Sequence, residues 1–442
     1  MSRYQSWGRY PTVHQDGSKL WWRSDPLPAL STPESAGLLP YGNGRSYGDV
    51  CLNPGGSLLD CRGLRRLIAF DARNGVIRCE SGVLLSDILA FATPRGWFLP
   101  VTPGTQFVTV GGAIANDVHG KNHHVAGTFG RHVLRFELLR SDGSRLQCST
   151  EENPDWYGAT IGGLGLTGLI TSAEIQLKPV HTQFIDQETI RFRNLTDFAR
   201  IAEESDDSFQ YTVAWIDSLA RGKSLGRGIF FRGNHAKETS RDAPGFSPPR
   251  LRVPITPLFS LVNRLSVRVF NSLYLRRPFS NGKREQVHFR PFFYPLDSVR
   301  DWNRIYGARG FLQYQCVVPM AAAEPAVTEI LERIAGAGEG SFLTVLKRFG
   351  HLTSPGLLSF PREGFTLAVD FPNRGSRTLD LLDRLDEVTL GAGGAVNPSK
   401  DARMSPRTFQ ASFPDWKRFS AFMDPAFSSA FWRRVTGVGL RI

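Results

Sequence analysis

The sequence predicts a two-domain α+β protein, and three observations carry that expectation. A chain of 442 residues is longer than a single hydrophobic core usually supports. Its first third alternates short strands with one helical pattern and glycine-rich turns, while its middle interleaves longer helical patterns with strands. Hydrophobic residues make up 41% of it, which suits a soluble globular chain and excludes a disordered one.

Taken in order, "LRRLIAFD" reads as a strand, "ARNG" as a turn and "VIRCESG" as a second strand. "LLSDILAFATPRG" spaces its apolar residues as an amphipathic helix does and closes on a glycine. "HVLRFELLRSDGSRLQCS" is two strands around an Asp-Gly turn, and "ATIGGLGLTGLITSAEIQLKPV" runs from a glycine-rich turn into a strand that stops at Pro179. A domain boundary near Val180 follows. From 181 to 394, "AAAEPAVTEILERIAGAG" and "SRTLDLLDRLDEVTL" are helical and "FLQYQCVVP" and "FTLAVDFP" extended, which makes a second α+β domain. Residues 395–442 are polar and aromatic, without a strong strand run.

A formal charge of +12 calls for an anionic partner. The basic excess between Arg221 and Arg284 is mixed with apolar residues in "RLRVPITPLFSLVNRLSVRVFNSLYLRR", so the stretch 221–284 reads as an insertion facing an anionic membrane surface. No RNA-binding signature or zinc-finger spacing accompanies it, and nucleic acid is not an expected partner. Without a signal-peptide run or an apolar stretch of spanning length, the expected location is the cytoplasm, peripheral at the inner membrane face. Five scattered cysteines without CxxC spacing argue against a zinc knuckle and a disulfide framework.

Three glycine-rich turns, "YGNGRSYGD", "TPGTQFVTVGGAIAND" and "IGGLGLTG", can bring backbone N–H groups close to bound oxygens. Their order does not fit a Rossmann fingerprint, and a Walker loop is absent. The histidines at 119, 123 and 124 have spacings that fit no common zinc pattern, so no metal is expected.

The set "GNGRSYGD", "PGTQFVTVGGAIANDVHGKNHHVAGTFG" and "GGLGLTGLI" resembles the PCMH-type FAD domain of the vanillyl-alcohol oxidase superfamily and, within it, the decaprenylphosphoryl-β-D-ribose 2′-oxidase family. "AWIDS", "FYPLD", "WNRIYG", "GFLQYQCVVP", "SFLTVLKRFG", "LSFP" and "SKDAR" extend the likeness over nearly the whole chain. It implies an FAD-binding domain at 1–180, a substrate-binding cap domain at 181–394, and a C-terminal segment at 395–442 that returns to the flavin.

By the same resemblance, FAD is held by Tyr41, Gly42, Asn43, Gly44, Arg45, Ser46, Tyr47 and Gly48, by Pro103, Gly104, Thr109 and Val110, and by Gly111 and Gly112, whose backbone takes the pyrophosphate. Asn116, His119, Gly120, Asn122, Gly127, Gly163, Gly168, Ile170 and Asn397 complete that set. Tyr47, His119, Lys347 and Lys400 are the implied catalytic residues, and Trp215, Gln313, Gln315, Lys347, Thr366, Ala368 and Lys400 the substrate-binding ones. Many superfamily members carry a flavin-linking histidine where this chain has Arg45, which is no nucleophile, so non-covalent FAD is expected. Thr366, Ala368 and Asn397 depart from better-known members and leave the exact sugar and carrier open.

The implied reaction is oxidation of the 2′-hydroxyl of a polyprenyl-phosphoryl pentose, with an NAD(P)H-dependent short-chain keto-reductase completing epimerisation to the arabinose donor of the cell wall. A soluble alditol or aldonolactone oxidase on the same fold stands as the alternative, and a flavin-free lipid- or metal-binding module as one from another class.

Overall fold

The computed structural model describes residues 4–29, 35–241, 243, 245, 251–277 and 281–437. The first part of the chain builds two sheets. Asp16–Lys19, Ser57–Asp60 and Leu38–Tyr41 form a parallel three-stranded sheet in that spatial order, three short strands that no alternating run announces. Leu67–Asp71, Val76–Glu80, Leu169–Gln176, Val133–Leu139 and Arg145–Ser149 form an antiparallel five-stranded sheet. The helix Leu85–Ala92 buries Leu85, Ile88, Leu89 and Ala92 beside it and ends through a short 3₁₀ turn on Gly96, whose φ of 80° is the left-handed value a glycine stop supplies.

The second part folds around one antiparallel eight-stranded sheet. Its order is Lys283–His288, Phe184–Phe192, Gly228–His235, Tyr211–Ile216, Thr344–Phe349, Gly364–Pro372, Phe311–Val318 and Ala395–Val396. One face carries the helices Leu195–Asp206, Ala323–Ala337 and Ser376–Gly391. Val327, Ile330, Leu331 and Ile334 recur at helical spacing and are buried, each contributing roughly 1.5–3 kcal/mol. Because side chains alternate across a strand, Leu312, Tyr314 and Cys316 enter this helix-covered core and Gln313 and Gln315 point the other way.

That other face meets the first part of the chain. Asp117, fully buried at the end of the helix Val110–Ala115, accepts from Gly130 N at 2.8 Å and from the Ser354 hydroxyl at 2.5 Å, and also from Ser359. The two serines lie 237 and 242 residues from Asp117 in sequence, so one carboxylate ties the two halves together. The segment after 394 begins as the edge strand Ala395–Val396 and then crosses back, with Leu38 N donating to Ala426 O at 2.7 Å and Arg434 paired with Asp49 at 2.7 Å. That two-residue pairing is too short to leave a strand run in the sequence.

The stretch 221–284 is not uniform. Gly228–His235 and Lys283–His288 are both hydrogen-bonded to Phe184–Phe192, so the part outside the sheet spans 236–282, and 242, 244, 246–250 and 278–280 lie outside the described residues. Its helix Arg264–Arg276 is capped by Asn263, whose side chain accepts from Leu265 N and Ser266 N. Val267 and Asn271 anchor that helix: Asn271 Nδ2 donates to Asp217 Oδ1 at 2.7 Å. Its other face leaves Leu265, Val269 and Leu273 exposed, beside Ile255, Leu258 and Phe259. Among the described residues no helix is long and apolar enough to cross a membrane.

Candidate active site

A cavity lies between the two parts of the chain. The first part lines it with Gly42–Tyr47, Pro103 and Gly104, Thr109, Gly111 and Gly112, Asn116, His119 and Gly120, and Gly168 and Ile170. The sheet face contributes Gln313, Gln315, Lys347, Thr366 and Ala368, and the returning segment adds Asn397 and Lys400. Strand register explains the convergence: Gln315 stands opposite Ala368, and Lys347 opposite Thr366, on three adjacent strands.

The glycines shape the floor of this cavity by being small. Thr109 caps the helix Val110–Ala115 by accepting from Gly112 N at 3.2 Å, and a Cβ at Gly42 would strike that same hydroxyl. Gly44 has a φ of 59° and sits directly over the Tyr41 hydroxyl, so no side chain fits there. Gly111 N donates to Ser81 O at 2.8 Å, and a Cβ on Gly111 would come 3.0 Å from Ser81 Cβ. Both N–H groups of the Gly111–Gly112 pair are therefore committed within the protein. The missing side chains let this backbone lie close against Ser81 and Thr109.

Three polar atoms in the cavity wall are buried without a partner: Arg45 Nε, Ser81 Oγ and Asn116 Oδ1. Buried polar groups are normally satisfied, so these point to a polar ligand. Arg45 is held with its guanidinium carbon 4.0 Å from the Trp7 ring centroid and 5.6 Å from that of Phe107, and burial lowers its pKa. A stacked, desolvated guanidinium with an open Nε suits the diphosphate of a dinucleotide. A cradle cleared by glycines, with these three atoms on its wall, fits FAD.

At the sheet side a hydrogen-bonded chain crosses the cavity. Asn397 Nδ2 donates to Gln315 Oε1 at 2.9 Å, which fixes the Gln315 amide, and Gln315 Nε2 donates to Thr366 Oγ1 at 3.1 Å and faces His119 Nε2 at 3.0 Å. With that nitrogen accepting, the imidazole proton sits on Nδ1, 3.2 Å from Lys347 Nζ. Lys347 then accepts as a neutral amine and donates toward Gly120 O at 3.5 Å. Burial, with Lys121 and Lys400 nearby, pushes Lys347 down to about 7, and burial beside Lys347 holds His119 well below its ordinary value. Lys400 lies 4.1 Å from the Tyr47 ring centroid; burial lowers it to about 8, against the opposing pull of Asp370.

Seven of the expected site residues do not line the cavity. Tyr41 donates its hydroxyl to Gln5 O at 2.7 Å and props up Gly44 from beneath. Val110 is core, Asn122 donates to Pro100 O at 2.8 Å, and Gly163 packs on Ala159 and Phe419. Gly127 turns beside Arg131 with a φ of 67°, and Gly48 is pressed against the backbone of Asp401. Trp215 shares a strand face with the cavity-lining Val213 but lies one pleat farther along, covered by Tyr274 of the insertion helix at 4.8 Å between centroids. Its Nε1 donates to Phe342 O at 2.9 Å, next to the cavity-lining Leu343.

Other lining residues went unmarked in the sequence, among them Trp7, Ser81, Lys121 and Asp297. Lys121 and Asp297 had a signal, since they lie inside "HGKNHH" and "FYPLD"; Lys121 Nζ donates to Phe292 O and burial pushes it down to about 7. The three histidines diverge: His119 enters the cavity, His123 packs on Phe349 at 4.4 Å, and His124 Nε2 bonds Phe209 O at 2.9 Å. Among the described residues no cluster of His, Cys, Asp or Glu is arranged to hold a metal.

Residues 31–149 match the family model of an FAD binding domain. The chain is 36% identical to decaprenylphosphoryl-beta-D-ribose oxidase of Mycolicibacterium smegmatis, over 98% of this chain and 97% of that one. It is 34% identical to an uncharacterized protein in the mprA 5′ region of Streptomyces coelicolor, over 80% of this chain and 100% of the other. A stretch covering 26% of it is 32% identical to 22% of the human Delta(24)-sterol reductase. The first of these likenesses runs through cradle, sheet and returning segment alike, and by it the chain belongs to the decaprenylphosphoryl-beta-D-ribose oxidase family.

Proposed function

We propose that this chain oxidises the 2′-hydroxyl of a polyprenyl-phosphoryl ribose to the 2-keto sugar, the first half of an epimerisation that a separate NAD(P)H-dependent keto-reductase completes. The observation that carries this reading is the meeting, in one cavity, of a glycine-cleared FAD cradle with the His119–Lys347 pair and Lys400. FAD supplies the two-electron acceptor. Arg45, Ser81 and Asn116 would hold it without a covalent bond, since the chain has arginine where a flavin-linking histidine would stand.

The protein's own part is to take a proton and steady a charge. Lys347 Nζ, an uncharged amine kept so by burial and the neighbouring cations, accepts the proton of the sugar hydroxyl as its C–H bond gives up a hydride. Lys400, still an ammonium near neutral pH, donates to the developing alkoxide. In the resting site His119 Nδ1–H donates to the single lone pair of Lys347, so the sugar hydroxyl would displace His119 as its hydrogen-bond donor, and the Asn397–Gln315 amide chain fixes the tautomer that keeps Nδ1 protonated.

Mixing the purified holoprotein anaerobically with polyprenyl-phosphoryl ribose should bleach the flavin within turnover time. A flavin that stays oxidised with this sugar but bleaches with free alditols would overturn the substrate assignment.

A lipid-borne substrate also gives the exposed apolar face of 251–273 a use. Leu258 and Phe259 are each 82% exposed, Arg264, Arg268 and Arg276 lie on the adjoining helix, and Phe270 of that helix touches Phe342 at 5.0 Å, one residue from the cavity wall. An anionic membrane surface fits this pairing of charge and apolar area, at about 1 kcal/mol for each Lys or Arg near the bilayer. The holoprotein is expected to sediment with anionic vesicles at low salt, to be released as salt rises, and to ignore neutral ones. Doubling Leu258→Asp with Phe259→Asp should abolish the effect; unchanged binding by that variant would place the membrane face elsewhere.

A further inference from the structure

The helix Ala430–Thr436, "AFWRRVT", lies near the end of the returning segment and is firmly anchored. Phe431, Trp432 and Val435 are buried, and the Trp432 ring stands 5.3 Å from Phe419 and 5.8 Å from Phe409 between centroids. Ser429 caps the helix by accepting from Trp432 N at 3.1 Å, and Arg433 ties it to the first part of the chain through Asn53 Oδ1 at 2.6 Å. Arg434 therefore projects from a fixed base, and its guanidinium is committed at every nitrogen. Nε donates to Asp49 Oδ2 at 2.9 Å, Nη2 to Asp49 Oδ1 at 2.7 Å and to Asp401 Oδ2 at 3.1 Å, and Nη1 to Met404 O.

Asp49 and Asp401 are both buried, and neither they nor Arg434 line the cavity except for their neighbours in sequence. Asp49 opens the short turn Asp49–Cys51, two residues after Tyr47. Asp401 follows Lys400, and its Oδ2 also accepts from Arg403 N at 3.0 Å and Met404 N at 2.7 Å, which shapes the turn that bears the lysine. Two carboxylates meeting at one nitrogen would repel each other without a cation between them. Arg403 does not supply it, being committed to Asp386 at 2.7 Å and standing 3.7 Å from Asp401. A planar fork is the side chain that can grip one carboxylate in two bonds and still reach the second.

We propose that Arg434 is a positioning residue for the sugar oxidation: by joining Asp49 to Asp401 outside the cavity, it sets the angle between the turns that carry Tyr47 and Lys400. The two turns are already joined on the cavity side, where Tyr47 N donates to Ser399 O at 2.9 Å. One attachment leaves a hinge; a second, on the far side, fixes where Lys400 Nζ stands, 4.1 Å from the Tyr47 ring centroid. The catalytic consequence rests on the oxidase reading above, whereas the placement of Lys400 does not.

Arg434→Lys tests this, since lysine keeps the charge and loses the fork. In that holoprotein, flavin reduction by polyprenyl-phosphoryl ribose, counted per bound FAD, should fall about tenfold in kcat with KM within about twofold. Counting per flavin removes whatever the ion pairs contribute to folding. A lowered Tm with an unchanged rate per flavin would make Arg434 merely structural and overturn the proposal. A second readout needs no sugar: trace acetylation, read by mass spectrometry as the ratio of Lys400 to Lys347 labelling. The ratio should rise in the variant, because Lys400 leaves the Tyr47 ring while Lys347 stays on its strand; an unmoved ratio would overturn the proposal even in a slowed enzyme. If Arg434→Lys does not fold, Asp401→Asn takes its place, since it keeps an oxygen for the Arg403 and Met404 N–H groups and weakens only the contact with Arg434. A raised ratio and a lowered rate per flavin would again support the proposal, and either one unchanged would overturn it. Failure of the ribose to bleach the wild-type flavin would sink the oxidase reading alone, and the labelling ratio would still decide whether Arg434 places Lys400.

Discussion

Lys400→Met is expected to keep its FAD and to lose a hundred- to a thousandfold in the rate of flavin reduction by polyprenyl-phosphoryl ribose, about 3–4 kcal/mol of transition-state stabilisation. Methionine retains the apolar stem against the Tyr47 ring and deletes the ammonium. The pH profile sharpens the expectation. Wild-type reduction should rise as Lys347 loses its proton near 7 and fall as Lys400 loses its own near 8, a bell with a narrow top. Without Lys400 the alkaline limb disappears. The acid limb should move to higher pH, because the Lys400 charge is one of the influences that depress Lys347. A variant that reduces its flavin at the wild-type rate would move the catalytic assignment to Lys347 or His119.

Gly48→Ala should be the most damaging single methyl group in the site. The turn that carries Tyr47 and the turn that carries Lys400 lie directly on each other, with Tyr47 N donating to Ser399 O at 2.9 Å. A Cβ on Gly48 would run into the Asp401 carbonyl and lie 2.8 Å from Ala402 Cα, backbone atoms that no rotamer change can move. The expected cost is about 3 kcal/mol, the upper end of usual overpacking. Thermal denaturation should show it as a lowered Tm, and flavin reduction should fall at least tenfold as Tyr47 and Lys400 separate. An alanine variant with wild-type Tm and rate would mean the two turns part freely.

The fold was legible where pattern is long. The helices Ala323–Ala337 and Ser376–Gly391 and the hairpin Val133–Leu139 with Arg145–Ser149 stand where apolar spacing and an Asp-Gly turn put them. The parallel strands Asp16–Lys19, Leu38–Tyr41 and Ser57–Asp60 were not seen, because four-residue strands leave too few alternations and parallel partners are joined by long connections. Most residues that the resemblance named on glycine turns and strand faces line the cavity, while Tyr41, Gly48 and Gly163 lie on the same turns and do not. Trp215 has the parity of Val213, but Tyr274, from a helix inserted about sixty residues later, covers it. Asp370 shares the face of Thr366 and Ala368, yet only the register with Gln313 reveals that its carboxylate reaches the cavity through an amide. The glycines at 111 and 112 were expected to present their backbone to a pyrophosphate; in the structure their N–H groups bond Ser81 O and Thr109 Oγ1.

The returning segment sets a schedule for the birth of the enzyme. Asn397, which fixes the Gln315 amide, and Lys400 both follow the edge strand Ala395–Val396, whereas the FAD cradle is complete by Ile170. Synthesis from the N-terminus lets the earlier domain fold first. The turns of that cradle are nonetheless tied to late residues, Tyr47 N to Ser399 O and Leu38 N to Ala426 O, so the finished pocket waits for the returning segment. Should Lys400 carry the role proposed for it, a chain stopped between 170 and 395 would hold the flavin-side wall of the cavity without the group that faces the sugar.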